Sequence, residues 1–330
     1  MKAILNQLFE HQKLTEQQAY DVLTKIGNGA YNSSQIASFL TVYLMRNISV
    51  NELKGFQKAL LDLCLKMDFS EFNTIDLCGT GGDGKNTFNI STITSFVVAG
   101  AGYKVAKHGN YGVSSNCGSS NVLEYLGYQF TNDESKLKKQ LDEANFCMMH
   151  APLFHPAMKN VGPIRAELGV KTFFNMLGPI VNPSFPKNQM VGVFNLELAR
   201  IYNYLLQDSG KNYKVLHSLD GYDEISLTGQ VKMISNNGED LIHPNQIGFK
   251  QLTPQSIYGG ETVKEAANIF VDVLNNEGTK AQEEVVIANS AFAINCFEPN
   301  KSFNECKAIA IDSLKSGRAF STLKKLTTNN

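Results

Sequence analysis

The sequence predicts an α/β protein: a small N-terminal helical domain, then a larger domain with a mostly parallel sheet flanked by helices. Three observations predict it. Residues 1 to about 68 place apolar side chains at helical spacing, with helix-start signals between the stripes. From about residue 72, short apolar runs alternate with helical patterns, as in parallel strands joined through helices. Between the first such run and the first such helix lie Gly79, Gly81, Gly82 and Gly84, more glycine than a simple tight turn needs.

In the N-terminal stretch, Ile4, Leu5, Leu8 and Phe9 form one apolar stripe. Thr15 with Gln18 reads as a capping box before Tyr20, Val22, Leu23 and Ile26, and Gly27 closes that helix. Ser34 is expected to open a third helix bearing Ile36, Phe39, Leu40, Tyr43 and Leu44. Ser49 with Glu52 caps a fourth bearing Leu53, Phe56, Leu60, Leu63 and Cys64. The four make a small bundle with no chemical cluster, suited to packing on the rest of the chain or on a second subunit. The expected boundaries are a helical domain over 1–70, with a return segment near 163–182, and an α/β domain over 71–330. Strands are expected at 74–78, 104–107, 146–149, 189–193 and 214–218, and later helices near 262–276, 283–297 and 303–317.

Composition removes several classes of function. The formal net charge is −1, so no global field argues for nucleic acid or an anionic membrane. The six cysteines are scattered without a C-x-x-C, which suits reduced thiols in a cytoplasm better than a disulfide frame or a zinc site. Met1 to Lys13 is amphipathic and contains Glu10, unlike a signal peptide. No apolar run approaches the length of a membrane span.

Ligands of parallel sheets bind outside the carboxyl ends of the strands, and three expected strands run there into unusual polar sequence. The first run is Gly79 to Thr92. Strand, glycine loop and helix N-terminus together suit phosphate. The loop fits G-x-G-x-x-G, but the next strand ends in Lys107-His108 rather than the acid an NAD site wants. It fits G-x-x-x-x-G-K, but Asn86 replaces the magnesium-holding Ser or Thr. Asp83 inside the loop would repel phosphate unless a cation intervenes. The loop therefore reads as a site for a phosphate-rich ligand bound with a metal. The second run, Lys107 to Asn121, supplies small donors and a cation for an oxyanion. The third, Asp220-Gly221-Tyr222-Asp223-Glu224, reads either as solvated carboxylates or, beside phosphate, as oxygen ligands for magnesium. Arg165, in a Pro-bounded helical segment, reads either as a surface salt bridge or as a fork for a carboxylate or phosphate. His11, His150, His155 and His243 read as structural, and His217 is left open.

These pieces together resemble the anthranilate phosphoribosyltransferases. The resemblance is carried by Gly79-Thr80-Gly81-Gly82-Asp83, Asn89-Ile90-Ser91-Thr92, Lys107-His108-Gly109-Asn110, Ser114-Ser115, Gly118-Ser119, Val122-Leu123-Glu124, Arg165 with Glu167-Leu168-Gly169, Phe174-Asn175 with Leu177-Gly178-Pro179, and Asp220-Gly221 with Asp223-Glu224. It implies a nucleoside phosphorylase/phosphoribosyltransferase-like fold, usually homodimeric through the helical part. It implies transfer of phosphoribose from phosphoribosyl pyrophosphate to the amine of anthranilate, with Mg2+, in tryptophan biosynthesis. By the same resemblance Gly79, Gly82, Asp83, Thr87, Asn89, Ser91, Thr92, Lys107 and Ser119 contact the pyrophosphate substrate, and Ser91, Asp223 and Glu224 hold metal. Asn110 and Arg165 contact anthranilate with His108 close by, and Ile90, Gly109, Ser114 and Ser115 complete the substrate-binding set. Tyr111, Lys171, Ser120-Asn121 and Ser218 depart from the family's usual residues and bear on phosphate contact and loop shape.

The expected chemistry needs no catalytic nucleophile or strong base. An arylamine is neutral at pH 7, so positioning and electrostatic stabilisation of departing pyrophosphate suffice. Orientation of that kind can be worth roughly 7–11 kcal/mol. Two rival readings stand beside it: a pyrimidine nucleoside phosphorylase, and a non-catalytic nucleic-acid-binding relative. The second predicts a basic face and a decayed phosphate loop.

Overall fold

The computed structural model describes residues 1–112 and 117–327. In chain order the helices are α1 (Lys2–Phe9), α2 (Glu16–Gly27), α3 (Ser33–Met45), α4 (Val50–Leu63), α5 (Ile90–Gly100), α6 (Ser119–Tyr125), α7 (Glu134–Ala144), α8 (Ala151–Phe154), α9 (Gly162–Leu168), α10 (Phe174–Leu177), α11 (Leu196–Leu206), α12 (Val263–Leu274), α13 (Lys280–Phe297), α14 (Phe303–Lys315) and α15 (Arg318–Thr327). The strands are β1 (Thr74–Gly79), β2 (Lys104–Gly109), β3 (Phe146–His150), β4 (Asn188–Gly192), β5 (Asn212–Ser218), β6 (Val231–Ser235) and β7 (Gly238–Ile242). Two compact units result: Met1–Met67 with Ala151–Pro183, and Asp68–His150 with Ser184–Asn330. Among the described residues no helix is long and apolar enough to cross a membrane.

The first unit is helical. Capping boxes start α2 at Thr15 and α4 at Ser49, where each hydroxyl accepts an amide and the Gln or Glu three residues on answers it. The third helix starts earlier than expected: Asn32 is its N-cap and Gln35 completes the box, so Ser34 lies inside the first turn. On α1, Leu8 is buried while Phe9 is 59% exposed, so the expected stripe is only partly used. Phe39, Phe56 and Phe173 pack together, with Phe56 and Phe173 stacked at 4.6 Å.

The second unit is a seven-stranded sheet in the order β3-β2-β1-β4-β5-β6-β7. β3 to β5 are parallel, because the chain returns through helices between them, while β6 and β7 are antiparallel and close by short connections. The parallel strands are buried along nearly their whole length, as strands covered on both faces are, although they carry polar residues such as Asp76, Lys107 and Gln189. α5 and α13 are almost wholly buried, α5 through Ile93, Phe96, Val97 and Val98. The chain leaves β1 to one side for β2 and β3, then comes back on its other side with β4 and β5. The carboxyl ends of β1 and β4 therefore form the topological switch point, where such sheets leave a crevice.

Candidate functional site

At that point two glycines meet: Gly79 ends β1, Gly192 ends β4, and the two are register partners. Asp223 lies over both. A Cβ on Gly192 would sit 1.5 Å from the Asp223 carbonyl oxygen, and one on Gly79 would sit 2.4 Å from Asp223 Oδ2. The glycine loop then turns through Gly81, Gly82 and Gly84, all at positive φ (61°, 77° and 72°). This turn lets Gly81 N–H donate to Asp223 Oδ2 at 2.7 Å. Asp83 closes the loop by accepting from Lys85 N–H at 3.0 Å, and its other oxygen accepts from Asp223 N–H at 3.5 Å. Beyond the turn, Thr87 bridges Tyr258 in antiparallel fashion, and Asn86 Nδ2 donates to the Gly260 carbonyl at 2.7 Å.

α5 starts at Ile90. Its N-cap Asn89 makes no side-chain cap bond; it donates to the Cys117 carbonyl at 3.0 Å and so ties the first loop to the second. Ser91 N–H donates to Glu224 Oε1 at 3.3 Å. Ile90 and Thr92 are buried at 1% exposure, Ile90 belongs to the core, and its N–H donates to the Phe88 carbonyl at 2.6 Å. Burial, then repulsion from Asp83, raises the Asp223 carboxyl well above the usual carboxylate range. Burial, then repulsion from Asp223, does the same for Glu224, which Lys107 partly offsets. Lys107 is 2% exposed, and its ammonium donates to the Leu77 carbonyl, so its charge acts from beneath the sheet end.

The second loop follows β2. His108 is buried, with its N–H on Asp76 Oδ1 at 3.1 Å. Gly109 admits Ser119, whose Oγ would lie 2.5 Å from an added Cβ. Ser119 Oγ and Ser120 N–H both donate to the exposed Asn110's carbonyl, at 3.3 and 3.2 Å. Asn121 Oδ1 accepts from Gly112 and Gly118 N–H at 2.9 and 3.0 Å, joining the two arms of the loop. Tyr111 OH donates to Glu124 at 3.2 Å. Ser114 and Ser115 lie outside the described residues. Of the histidines, His217 Nδ1 contacts the Val193 carbonyl at 2.8 Å, and His150 Nδ1 contacts Ser120 Oγ at 2.9 Å.

Arg165 belongs to the helical unit, on α9. Its surface-salt-bridge reading fails: it makes no ion pair among the described residues, and burial alone lowers its pKa. One guanidinium nitrogen donates to Asn175 Oδ1 at 3.2 Å, the Cζ lies 5.4 Å from the Phe174 ring centroid, and the buried Nε has no hydrogen-bond partner. A half-buried cation with an unused donor is suited to an anionic ligand.

The donor set around Asp223 fits magnesium. Its groups are hard oxygens, two of them carboxylates whose mutual repulsion a divalent cation would relieve. Among the described residues no group of three or more His, Cys, Asp or Glu could hold an ion by itself.

Residues 71–320 match the model of the glycosyl transferase family a/b domain, and residues 2–64 that family's helical bundle domain. The chain is 61% identical to an anthranilate phosphoribosyltransferase of Flavobacterium psychrophilum over 99% of this chain and 98% of that one. The corresponding figures for that of Christiangramia forsetii are 58%, 99% and 98%. The chain belongs to the anthranilate phosphoribosyltransferase family. Among solved members, that of Thermus thermophilus superposes with a TM-score of 0.91 at 30% identity, covering 98% of each chain. The anthranilate phosphoribosyltransferase of Saccharomyces cerevisiae, solved in complex with PRPP and Mg, gives 0.91 at 25% identity, covering 98% of this chain and 96% of that one.

For an anthranilate phosphoribosyltransferase, two features escaped the sequence reading. Gly192 lay unremarked inside the strand expected at 189–193. Asn289 had a clearer signal, a carboxamide inside the apolar run Val285 to Ala293.

Proposed function

We propose that this chain transfers the phosphoribosyl group of phosphoribosyl pyrophosphate to the amine of anthranilate, giving N-(5-phosphoribosyl)anthranilate and pyrophosphate, in tryptophan biosynthesis. The observation that carries this is the seating of Asp223 and Glu224 against the glycine loop, through Gly81 N–H at 2.7 Å and Ser91 N–H at 3.3 Å. Gly79, Gly82, Asp83, Thr87, Asn89, Ile90, Ser91, Thr92, Lys107 and Ser119 bind the diphosphate donor. His108, Gly109 and Asn110 border it, with Ser114 and Ser115 assigned by family resemblance. Asp223, Glu224 and Ser91 hold Mg2+. When bound, the ion supplies positive charge to the diphosphate.

The bond from the anomeric carbon to a diphosphate oxygen breaks, and its electron pair leaves with pyrophosphate. The amine lone pair forms the new C–N bond, and the amine proton then passes to water. Loop N–H groups and the buried Lys107 stabilise the charge that develops on pyrophosphate. Arg165 grips the anthranilate carboxylate and orients the amine, so no side chain acts as nucleophile or strong base. We further assign a cytoplasmic location and a homodimer.

The test follows the loss of anthranilate fluorescence with phosphoribosyl pyrophosphate and Mg2+. Consumption that requires both supports the assignment. No consumption with every component present, or turnover of a pyrimidine nucleoside with inorganic phosphate instead, overturns it.

A further inference from the structure

The segment that carries Asp223 and Glu224 has no regular structure of its own: residues 219–230 connect β5 to β6 without helix or strand. Its buried backbone groups must find partners elsewhere. Asn289, fully buried on α13, supplies two of them. Its Oδ1 accepts from Ile225 N–H at 3.2 Å, and its Nδ2 donates to the Ile225 carbonyl at 2.9 Å and to Val285 of its own helix at 2.8 Å. The carboxamide thus stands in for a neighbouring strand at a single residue. One position earlier, Ser218 Oγ donates to the Glu224 carbonyl at 2.6 Å from the end of β5.

A buried asparagine inside a helix is costly unless its polar atoms are engaged, and here both donors and the acceptor are. The peptide unit joining Glu224 to Ile225, held at its carbonyl by Ser218 and at its N–H by Asn289, and the next unit, held at the Ile225 carbonyl, are therefore gripped by two rigid elements. Adjacent carboxylates repel, and Asp223 keeps its place over Gly79 and Gly192 only while the backbone behind it is fixed.

We propose that Asn289 and Ser218 are positioning residues for the reaction, a two-point clamp that presets Asp223 and Glu224 for a divalent cation carrying a diphosphate. The inference rests on the function proposed above. Isothermal titration of the full chain with magnesium pyrophosphate tests it, alongside the Michaelis constant for anthranilate and thermal unfolding. In Asn289→Ala, binding of magnesium pyrophosphate should weaken by about 10–100-fold, the range for partners that orient metal ligands. Ser218→Ala should shift it in the same direction by less. The Michaelis constant for anthranilate should stay at the parent value in both.

Folded variants that bind magnesium pyrophosphate like the parent overturn the clamp, as does a shift that affects anthranilate equally. If Asn289→Ala does not fold, Ser218→Ala decides alone. An Asp223→Asn, Glu224→Gln double variant separates the two levels: if it also binds like the parent, the metal assignment fails and the clamp with it, whereas if it alone weakens binding, only the clamp fails.

Discussion

Arg165 and Gly192 show how single residues can be tested. Arg165 has an unused buried donor and no carboxylate beside it among the described residues. Arg165→Ala should raise the Michaelis constant for anthranilate, with a loss of about 1.5–3 kcal/mol for a hydrogen bond to a charged group, roughly tenfold to hundredfold. Arg165→Lys should recover little, because the planar fork is lost. An unchanged Michaelis constant in either variant removes the role. At Gly192 the constraint is steric: a methyl group there meets main chain, which cannot swing aside. Gly192→Ala should displace Asp223, cost about 1–3 kcal/mol of stability as overpacking does, and weaken magnesium dependence. Thermal unfolding and a metal titration would check both effects. Asp83, Lys107 and the Asp223–Glu224 pair were legible because their chemistry is written in adjacent letters. Gly192 was not, because its significance depends on Asp223, which only the folded sheet brings to it.

Among elements, α4 carries the clearest structural dependence. Glu52, fully buried, accepts from Leu14 N–H at 3.0 Å, Tyr43 OH at 3.1 Å, Ser49 N–H at 2.9 Å and Ser49 Oγ at 2.8 Å, and pairs with Arg46. One carboxylate thus caps its own helix and ties α3 and the approach to α2 to it. Burial pushes its pKa up, but the Arg46 bond and the backbone donors more than offset that and hold it below the usual range. A depressed folded pKa stabilises above the unfolded value, about 4.3, and that stability is lost as pH falls through the folded pKa. Glu52→Gln should therefore cost about 3–5 kcal/mol near neutral pH, as expected when a buried pair is broken. The gap to the parent should narrow in acid. Helical circular dichroism of the full chain against temperature and pH reads this out, and an equal gap at every pH would refute it. Ser49 with Glu52 was legible as a capping box, since that signal is local; the further partners at Leu14, Tyr43 and Arg46 were not. α15 escaped notice because, of its buried positions, Ala319 is small and Thr322 polar, leaving Leu323 as the one large apolar side chain among them. β7 escaped for a related reason: a largely exposed strand has no apolar alternation to betray it.

For the whole molecule, the near-zero net charge means that a highly anionic donor is attracted by local groups rather than by a global field. Stability should then respond to the cation and the donor jointly. At a ligand concentration a hundredfold above its dissociation constant, linkage adds about 2.7 kcal/mol. We expect a clear rise in melting temperature with phosphoribosyl pyrophosphate plus magnesium, and much less with either alone. An equal shift from the donor without metal would count against a shared site. The sheet order that sets this site has another consequence at its far margin. β7 ends the sheet at a largely exposed strand, and there Glu239 and Asp240 stand on the outermost position, with Lys232 engaged to Glu239 at 2.6 Å. A foreign strand zipping onto that rim would have to bring its backbone alongside fixed anionic side chains. Charged side chains of this kind on an edge strand disfavour pairing with another edge.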